Sequence, residues 1–310
     1  MGRRATACVL AAFLAALFMV ATAFAQIKEE FDDCTGKSGA TPEQRIIGCL
    51  AVLQSGRWAK KDQAFAYDNM GQALQAKGEL DKAITSYGEA VKCDPDYALS
   101  YRNRGLAYVK KNELDLAIAD FTAAIRADPK LAQAFDDRGW AYRQKGDLEH
   151  AIADYDTAIK LNALFAHAYN GRGDVYQAKG DLTQAVADYS EAIRLDGKFA
   201  AAYNNRCFAR AGLGDLQAAL EDCNKALALV PNQPQILDSR GFTYLKLHQL
   251  DQAIADYDAA LKVDSKLASS LYGRGLAKQK KGQADAGKAD ISAAIAIDAN
   301  VAAGFKGVEN

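Results

Sequence analysis

Histidine is scarce in this chain, and the residues that carry chemistry in enzymes are not grouped in it. Only three histidines occur among 310 residues. His150, His167 and His248 lie too far apart in sequence for the short ligand spacings of metal sites. No nucleophile motif and no glycine-rich phosphate loop are present. The sequence therefore predicts no catalytic residues, no metal and no cofactor, and it disfavours an enzyme.

An excess of positive charge is also missing. The chain has 38 Lys and Arg against 39 Asp and Glu. Removal of the signal peptide predicted below would take away Arg3 and Arg4 and leave 36 against 39, a formal charge of −3. No basic stripe runs along the sequence. Nucleic-acid binding needs clustered Lys and Arg to displace counterions from phosphates. Nucleic acid is therefore not an expected partner.

Long hydrophobic runs are limited to the first residues. Val9–Val20 is an apolar run that follows two arginines and is too short to span a membrane comfortably. Ala23-Phe24-Ala25 fits a small-x-small cleavage site. We predict a signal peptide over residues 1–25, a periplasmic or secreted protein, and no stable membrane insertion after cleavage. The alternative is an uncleaved membrane anchor.

What the chain does have is self-similarity. Residues 98–131 return each time the sequence is shifted by 34 residues, which indicates an array of one unit. Small and large residues keep fixed offsets typical of a helix, a tight turn and a second helix, namely Gly105, Tyr108, Ala117, Phe121, Ala124 and Pro129. The apolar faces are too wide for one helical pair to cover. Neighbouring units must therefore bury them.

These residues resemble the tetratricopeptide repeat, and the likeness covers about three quarters of the chain. The resemblance implies an all-α, right-handed α-solenoid of seven helix-turn-helix units with an N-terminal half-repeat cap. Departures are local, because Cys207 replaces the close-contact glycine of repeat 5 and Gly287 replaces a small residue in repeat 7. The seven repeats occupy residues 64–97, 98–131, 132–165, 166–199, 200–233, 234–267 and 268–301.

The ends of the array do not match a full repeat. Residues 26–63 contain a helical pattern of apolar residues where a second helix would lie. We expect a half-repeat that caps the first apolar face, with Thr41 as N-cap and Pro42 at the first helical position. Residues 302–310 form a C-terminal tail that is too short for a full capping helix. We therefore expect an open end that is available for assembly.

The turn inside each unit has a characteristic pair of residues. Gly or Asn tolerates the left-handed backbone that ends a helix, and the acidic or amide residue after it is expected to cap the next helix. His248 departs from this pattern and is interpreted as a solvent-facing variant. The turns begin at Gly78, Asn112, Gly146, Gly180, Gly214, His248 and Gly282.

Five cysteines remain after the predicted cleavage, and an oxidising compartment favours disulfides. Cys34 and Cys49 flank an irregular loop, and Cys207 and Cys223 lie on the two helices of repeat 5. We expect one bridge in each place, and small buried thiols are the alternative for both. Cys93 is left without a partner.

Arginine and aspartate recur together in the array. In repeats 2 to 7 an arginine precedes the close-contact position by one residue and an aspartate follows that arginine 16 residues later. Repeat 1 has Met70 and Ser86 at these two positions, so both partners are missing together. This correlation predicts an ion pair between the two helices of each repeat, with a structural role. Pairing across repeats is disfavoured, because it would require an acid at Ser86 to meet Arg104. The predicted pairs are Arg104–Asp120, Arg138–Asp154, Arg172–Asp188, Arg206–Asp222, Arg240–Asp256 and Arg274–Asp290.

The resemblance implies that the first helices line a concave groove, with positions 5, 6 and 9 of each repeat among those that point into it. Position 9 is apolar in five of seven repeats, and exposed aromatic clusters often anchor partners. Sideways packing is the alternative for each side chain. Asparagine amides both donate to and accept from a peptide backbone. The candidate groove residues are Trp140, Phe208, Phe242, Leu106, Asn69, Asn103, Asn170, Asn204, Asn205, Arg102 and Arg143.

Two peptide-binding modes known in this family indicate which kind of ligand to expect. The clamp that grips chaperone C-terminal carboxylates is absent, because position 2 holds no Lys. Asn69, Asn103 and Asn205 resemble the asparagine ladder of the repeats in O-linked sugar transferases, which hold extended peptides. We therefore expect a non-catalytic scaffold or adaptor that binds an extended protein segment. The alternative is a structural or self-associating envelope protein without a peptide ligand.

Overall fold

The computed structural model describes residues 28–37 and 39–308, and within them all regular structure is helical. This confirms the all-α prediction. Residues 28–35 form a helical segment, and the predicted signal peptide and cleavage site lie outside the described residues. The helices that follow are α1 Pro42–Gln54, α2 Lys60–Ala76, α3 Leu80–Cys93, α4 Ala98–Lys110, α5 Leu114–Ala127, α6 Ala132–Gln144, α7 Leu148–Leu161, α8 Ala166–Ala178, α9 Leu182–Leu195, α10 Ala200–Leu213, α11 Leu216–Leu229, α12 Pro234–Lys246, α13 Leu250–Val263, α14 Ala268–Lys280, α15 Ala284–Ile297 and the 3-10 helix Val301–Phe305.

The helices form pairs joined by tight turns, so that α2 and α3 make repeat 1 and α14 and α15 make repeat 7. The chain divides into two compact units, one that ends at Gly146 and one that begins at Asp147. Within each unit every helix packs on the next, and the first helices of successive repeats also touch one another. The first helices of each unit therefore present a row of side chains on one side of the stack.

The turns adopt the predicted left-handed backbone. All seven turn residues, from Gly78 to Gly282, have a φ between 60° and 89°, and they include Asn112 and His248. The expected caps are observed only in part. Asp147 accepts a hydrogen bond from the His150 backbone N–H and Asp181 accepts one from Gln184, whereas the acidic or amide residues of the other five turns make no side-chain cap. In those five repeats, packing of the paired helices is enough to fix where the second helix begins.

Close approach of paired helices depends on glycine against an aromatic ring. A Cβ on Gly71 would lie 2.6 Å from Cε1 of Tyr87. In repeat 5 both positions are cysteine, and Cys207 and Cys223 form a disulfide with a Cα–Cα distance of 5.5 Å. The predicted bridge is confirmed, and it stands where other repeats have the glycine–aromatic contact. Of the described cysteines, Cys93 has a free thiol. The same contact joins Gly105 to Phe121, Gly173 to Tyr189 and Gly241 to Tyr257.

Helix α1 begins with the predicted cap. Thr41 Oγ1 accepts a hydrogen bond from the Gln44 backbone N–H at 3.3 Å, and the Gln44 side chain accepts one from the Thr41 N–H at 2.8 Å. Pro42 is the first helical residue. The predicted disulfide between Cys34 and Cys49 is confirmed and ties the helical segment 28–35 to α1. Since α1 packs on α2, it covers one side of repeat 1.

Ion pairs between helices follow the predicted pattern, with one addition. In repeat 4, Arg172 donates to Asp188 through Nε at 2.8 Å and through Nη2 at 2.7 Å. Its Nη1 also donates to Asp156 of repeat 3 at 2.5 Å. The expectation that pairing stays within each repeat is therefore wrong in part, because one guanidinium joins three helices. The paired contact is also present in Arg104–Asp120, Arg206–Asp222, Arg240–Asp256 and Arg274–Asp290.

The residues after α15 close over the last repeats. Val301, Phe305 and Val308 are buried. The Phe305 ring lies 5.5 Å from the Phe242 ring and 5.1 Å from the Tyr272 ring, measured between centroids. The expectation of an open end is therefore wrong on this side, because the short apolar segment that contains the 3-10 helix is enough to cover the first helices of repeats 6 and 7.

Candidate binding surface on the first helices

Positions 5, 6 and 9 of the first helices share one side, because position 9 follows position 6 by three residues and position 5 by four, which is about one helical turn. We call this surface the first-helix face. In the first unit its residues are Asp68, Asn69, Gln72, Arg102, Asn103, Leu106, Asp136, Asp137 and Trp140. In the second unit they are Asn170, Gly171, Asp174, Asn204, Asn205, Phe208, Asp238, Ser239, Phe242, Tyr272, Gly273 and Leu276.

A buried carboxylate organises the start of this face. Asp68 is 1% exposed and accepts hydrogen bonds from Ser100 Oγ at 2.8 Å, Asn103 Nδ2 at 3.0 Å and Gln72 Nε2 at 2.7 Å. Burial raises the pKa of Asp68, while these three donors act in the opposite direction. The amide of Asn103, predicted to meet a guest backbone, is thus held by the protein's own carboxylate.

Asn69 is likewise engaged inside the protein. Its Nδ2 donates to the Phe65 carbonyl at 2.9 Å, and its Oδ1 accepts from Arg45 of α1 at 3.2 Å. The side chain is also buried. Asn69 therefore links the cap helix to repeat 1, which sequence spacing alone did not indicate.

Two adjacent aspartates of repeat 3 meet Arg102. Arg102 Nε donates to Asp137 Oδ2 at 2.5 Å. Burial, followed by the charge of Asp137, raises the pKa of Asp136 to about 7. Burial also raises the pKa of Asp137, against the pull of Arg102. The face of the first unit therefore carries two adjacent aspartates with raised pKa values beside Arg102, one of the two predicted arginines.

Trp140 contributes an exposed apolar ring to the first-helix face of the first unit. It is 36% exposed, whereas Leu106 is half-buried and packs beside the cluster that contains Phe121 and Ala141. Arg143 is half-buried and lies nearly one turn beyond Trp140. Of the predicted apolar positions in this unit, Trp140 thus has the most surface available to a partner.

Amides and a carboxylate are linked across repeats in the second unit. Asn205 Nδ2 donates to Asn170 Oδ1 at 3.2 Å and to Asp174 Oδ1 at 2.9 Å. The Tyr189 hydroxyl donates to the same Asp174 oxygen at 2.9 Å. Within residues 39–308, the buried Oδ1 of Asn204 has no hydrogen-bond partner. Of the predicted asparagines, Asn204 therefore has an unused acceptor, whereas Asn205 and Asn170 are hydrogen-bonded to each other.

The aromatic residues of the second unit lie together. The rings of Phe208 and Phe242 are 5.5 Å apart. Phe208 is half-buried, but Phe242 is only 6% exposed because Phe305 covers it. The prediction of Phe242 as an exposed anchor is corrected accordingly. Sequence reasoning missed Phe305, although it repeats the 34-residue spacing of Leu237 and Leu271.

A cavity of about 420 Å³ opens beside these rings. Phe208 and Phe242 line it together with Asp298, Asn300, Val301, Gly304 and Phe305 of the segment that follows α15. Asp238, one helical turn before Phe242, contributes a carboxylate, and Ser269 contributes a hydroxyl. The cavity has the size and apolar lining of a ligand pocket with few polar groups.

A second cavity, of about 520 Å³, lies in the first unit between α1, α2 and α3. Met70 and Ser86, which replace the arginine and aspartate of the other repeats, both line it. The Ser86 hydroxyl donates to the Tyr67 carbonyl at 2.8 Å. The missing ion pair therefore coincides with this cavity.

The described residues contain neither a cluster that could hold a metal ion nor a helix that could cross a membrane. Over residues 28–37 and 39–308, no three His, Cys, Asp or Glu side chains are grouped so as to hold a metal ion. None of the helices in that part of the chain is both long enough and apolar enough to cross a membrane. The two disulfides suit an oxidising compartment.

Family models match much of the chain. A model described as TPR repeat matches residues 71–112, 139–180, 173–214 and 244–282. A model described as Tetratricopeptide repeat matches residues 98–131. No curated protein matches the sequence. These matches agree with the helical pairs described above.

Solved structures share the fold. The APC/C hetero-tetramer Cut9-Hcn1 gives a TM-score of 0.67 at 19% identity over 87% of this chain, which spans 53% of that chain. A tetratricopeptide repeat protein from Parabacteroides merdae gives 0.62 at 18% identity, over 80% of this chain and 99% of that chain. PilF of Pseudomonas aeruginosa gives 0.62 at 14% identity, over 73% of this chain and 99% of that chain. At these identities the likeness shows the fold alone.

Proposed function

Because the chain belongs to the tetratricopeptide repeat family, we propose that it is a non-catalytic adaptor that binds an extended segment of a partner protein on the first-helix face. Repeats of this family generally serve as protein interaction scaffolds. The partner segment would lie across neighbouring first helices. Its side chains would enter apolar recesses, and the polar groups of the face would satisfy its backbone.

One observation carries this proposal. In α10, Asn204 has an unused buried amide oxygen and Phe208 lines the open cavity of the second unit. These two residues are one turn apart on the same helix face. Buried polar atoms normally have a partner, so a backbone N–H of a bound segment is a suitable donor for Asn204 while a neighbouring side chain fills the cavity.

We place the protein in the periplasm or outside the cell. The two disulfides support this location, since such bonds persist in oxidising compartments. The predicted leader over residues 1–25 supports it independently. In this setting the protein would hold two envelope components together or present one to another.

The proposal is tested by partner recovery from extracts of cells that make the protein. We expect Trp140→Ala together with Phe208→Ala to reduce recovery of specific partners, because both side chains contribute apolar surface to the first-helix face. Val263→Ala is the matched control, since Val263 is 60% exposed at the end of a second helix. Equal recovery by the double variant and the control would contradict the proposal.

A further inference from the structure

Two aspartates occupy the same place in repeats 1 and 6. Asp68 and Asp238 both stand at position 5 of a first helix, and each accepts a hydrogen bond from the serine at position 3 of the following repeat. Ser100 donates to Asp68 at 2.8 Å, and Ser270 donates to Asp238 at 2.5 Å. The two carboxylates can therefore be compared directly.

The other donors differ between the two sites. Asn103 and Gln72 complete the hydrogen bonding of Asp68. At the corresponding positions around Asp238 the sequence has Gly273 and Phe242, neither of which has a polar side chain. The donors to Asp238 are the hydroxyls of Ser270 and of Ser269. Asp238 thus keeps the carboxylate and loses both amides.

The cavity of the second unit occupies the space beside Asp238. Phe208, Phe242 and Phe305 line it, and their rings follow one another at centroid distances of 5.5 Å. Aromatic faces attract cations, and a carboxylate in such a place binds an ammonium or guanidinium group by a charge-assisted hydrogen bond. The missing amides and the aromatic walls favour the same kind of ligand.

We propose that this cavity is a subsite for a lysine or arginine side chain of the bound partner segment. The aliphatic stem packs against Phe208 and Phe242, and the cationic group pairs with Asp238. The inference rests on the proposed function and deepens it, since it states which residue the partner must supply. It also assigns Phe305 a role as the closing wall of the subsite.

The surrounding charges agree with a cationic ligand. Asp298 lines the same cavity. No Lys, Arg or His of residues 39–308 forms an ion pair with Asp238, and burial raises the pKa of its carboxyl. Lys246 lies 5.7 Å from the centroid of Phe242, but its ammonium group donates to the Ala211 carbonyl at 2.5 Å. The carboxylate of Asp238 therefore lacks a cation of its own.

Other ligand classes fit less well. An anionic side chain would face Asp238 and Asp298 together and be repelled. A purely apolar side chain would exclude water from Asp238 without replacing the lost hydrogen bonds, which costs free energy. A long side chain with an apolar stem and a positive end satisfies the rings and the carboxylate at once.

The subsite is tested with random heptapeptides displayed on phage and selected on the full purified protein. We expect the selected peptides to share Lys or Arg at one position. Replacement of that residue by norleucine in a synthetic peptide, which keeps the stem and removes the charge, should weaken binding by about tenfold or more. The dissociation constants are measured by isothermal titration calorimetry.

Variants of the protein locate the effect. Asp238→Asn retains the shape and the acceptor for Ser270, and should weaken binding of the lysine peptide to the level of the norleucine peptide without changing the latter. Phe208→Leu should weaken the lysine peptide a few-fold, because it removes one ring. Asp264→Asn is the control, since Asp264 is exposed and its carboxylate accepts from the Lys266 backbone N–H.

The outcomes separate the two proposals. Selected peptides without a shared basic residue, or a lysine preference that survives Asp238→Asn, would overturn the subsite and leave peptide binding in place. If the unmodified protein selects no peptides at all, the proposed function fails and the subsite fails with it. Circular dichroism melts of each variant verify that the fold is retained.

Discussion

At the scale of single residues, Arg172 shows how the repeats are joined. Its side chain is 21% exposed and that of Asp188 is 8% exposed, so the pair is largely withdrawn from water. A third hydrogen bond of Arg172 reaches Asp156 in the preceding repeat. Removal of one partner leaves a partly buried charge behind, and this is more costly than removal of both.

We expect Asp188→Ser to lower the free energy of unfolding by about 3 kcal/mol, because it removes the buried carboxylate and leaves the Arg172 guanidinium only its contact with the half-exposed Asp156. Arg172→Met together with Asp188→Ser reproduces the residues of repeat 1 and should cost less than the sum of the single changes. Urea unfolding of the four proteins measures the coupling energy. Arg194 and Glu191, with side chains 64% and 32% exposed, form the control pair, whose coupling should stay below about 1 kcal/mol. Additive costs at Arg172 and Asp188 would contradict the interpretation.

Asp136 makes stability depend on pH. Its pKa is raised to about 7 by burial and by Asp137, from an ordinary value of 3.8. The unfolded chain therefore releases this proton at lower pH than the folded chain does, and the contribution of Asp136 to stability falls as pH rises from about 4 to about 7. Asp136→Asn should raise the free energy of unfolding by about 1–3 kcal/mol at pH 8 and change it little at pH 4. Denaturant curves at the two pH values test this, and an equal effect at both would contradict it.

The ion pairs could be predicted because arginine and aspartate disappear together in repeat 1. The second contact of Arg172 could not, because the residues that play the part of Asp156 are not identical along the array. Their common property is a short side chain that accepts a hydrogen bond. They are Thr122, Asp156, Ser190, Asn224 and Asp258.

At the scale of helices, repeat 5 replaces one means of close packing by another. In repeats 1, 2, 4 and 6 a ring of the second helix presses on glycine in the first, and in repeat 5 Cys207 and Cys223 are bonded instead. Cys223 occupies the position of Tyr189 and Tyr257 in the adjacent repeats. The two cysteines are therefore an exchange for one glycine–aromatic pair.

If the disulfide of repeat 5 takes the place of a glycine–aromatic contact, that contact should be able to replace the disulfide. Reduction of the bridge, which closes a separation of 16 residues, should cost about 3 kcal/mol. Cys207→Gly with Cys223→Tyr should restore the packing of the other repeats and make stability insensitive to reduction at this site. The control is the double variant Cys207→Ala with Cys223→Ala, which has neither the disulfide nor the glycine–aromatic contact. Thermal melts of both double variants are recorded with and without dithiothreitol. A double variant no more stable than the alanine form would contradict the exchange.

The fold follows from local signals and the binding surface does not. The period, the turns and the α1 cap each depend on residues close in sequence, so helical pairs could be predicted. The hydrogen bonds that occupy Asn69 and Asn103 are made with Arg45 and Asp68, respectively. These partners are distant in sequence or belong to another repeat. No periodic pattern indicated these contacts.

At the scale of the whole molecule, the two units offer different surfaces. The first-helix face of the first unit is polar and carries the exposed ring of Trp140. That of the second unit contains an aromatic cavity closed by residues 298–305. The first unit therefore presents acidic and amide groups beside Trp140, and the second presents an aromatic recess beside Asp238.

The central claim is that a partner segment lies on the first-helix face, and site-specific crosslinking in living cells tests it most directly. A photoreactive residue is placed at position 140 or 208, with a control at the exposed position 221 of a second helix. We predict discrete crosslinked species of one partner from positions 140 and 208 and none of that partner from position 221. Crosslinks that are absent from both face positions, or that are equally frequent at position 221, would contradict the account.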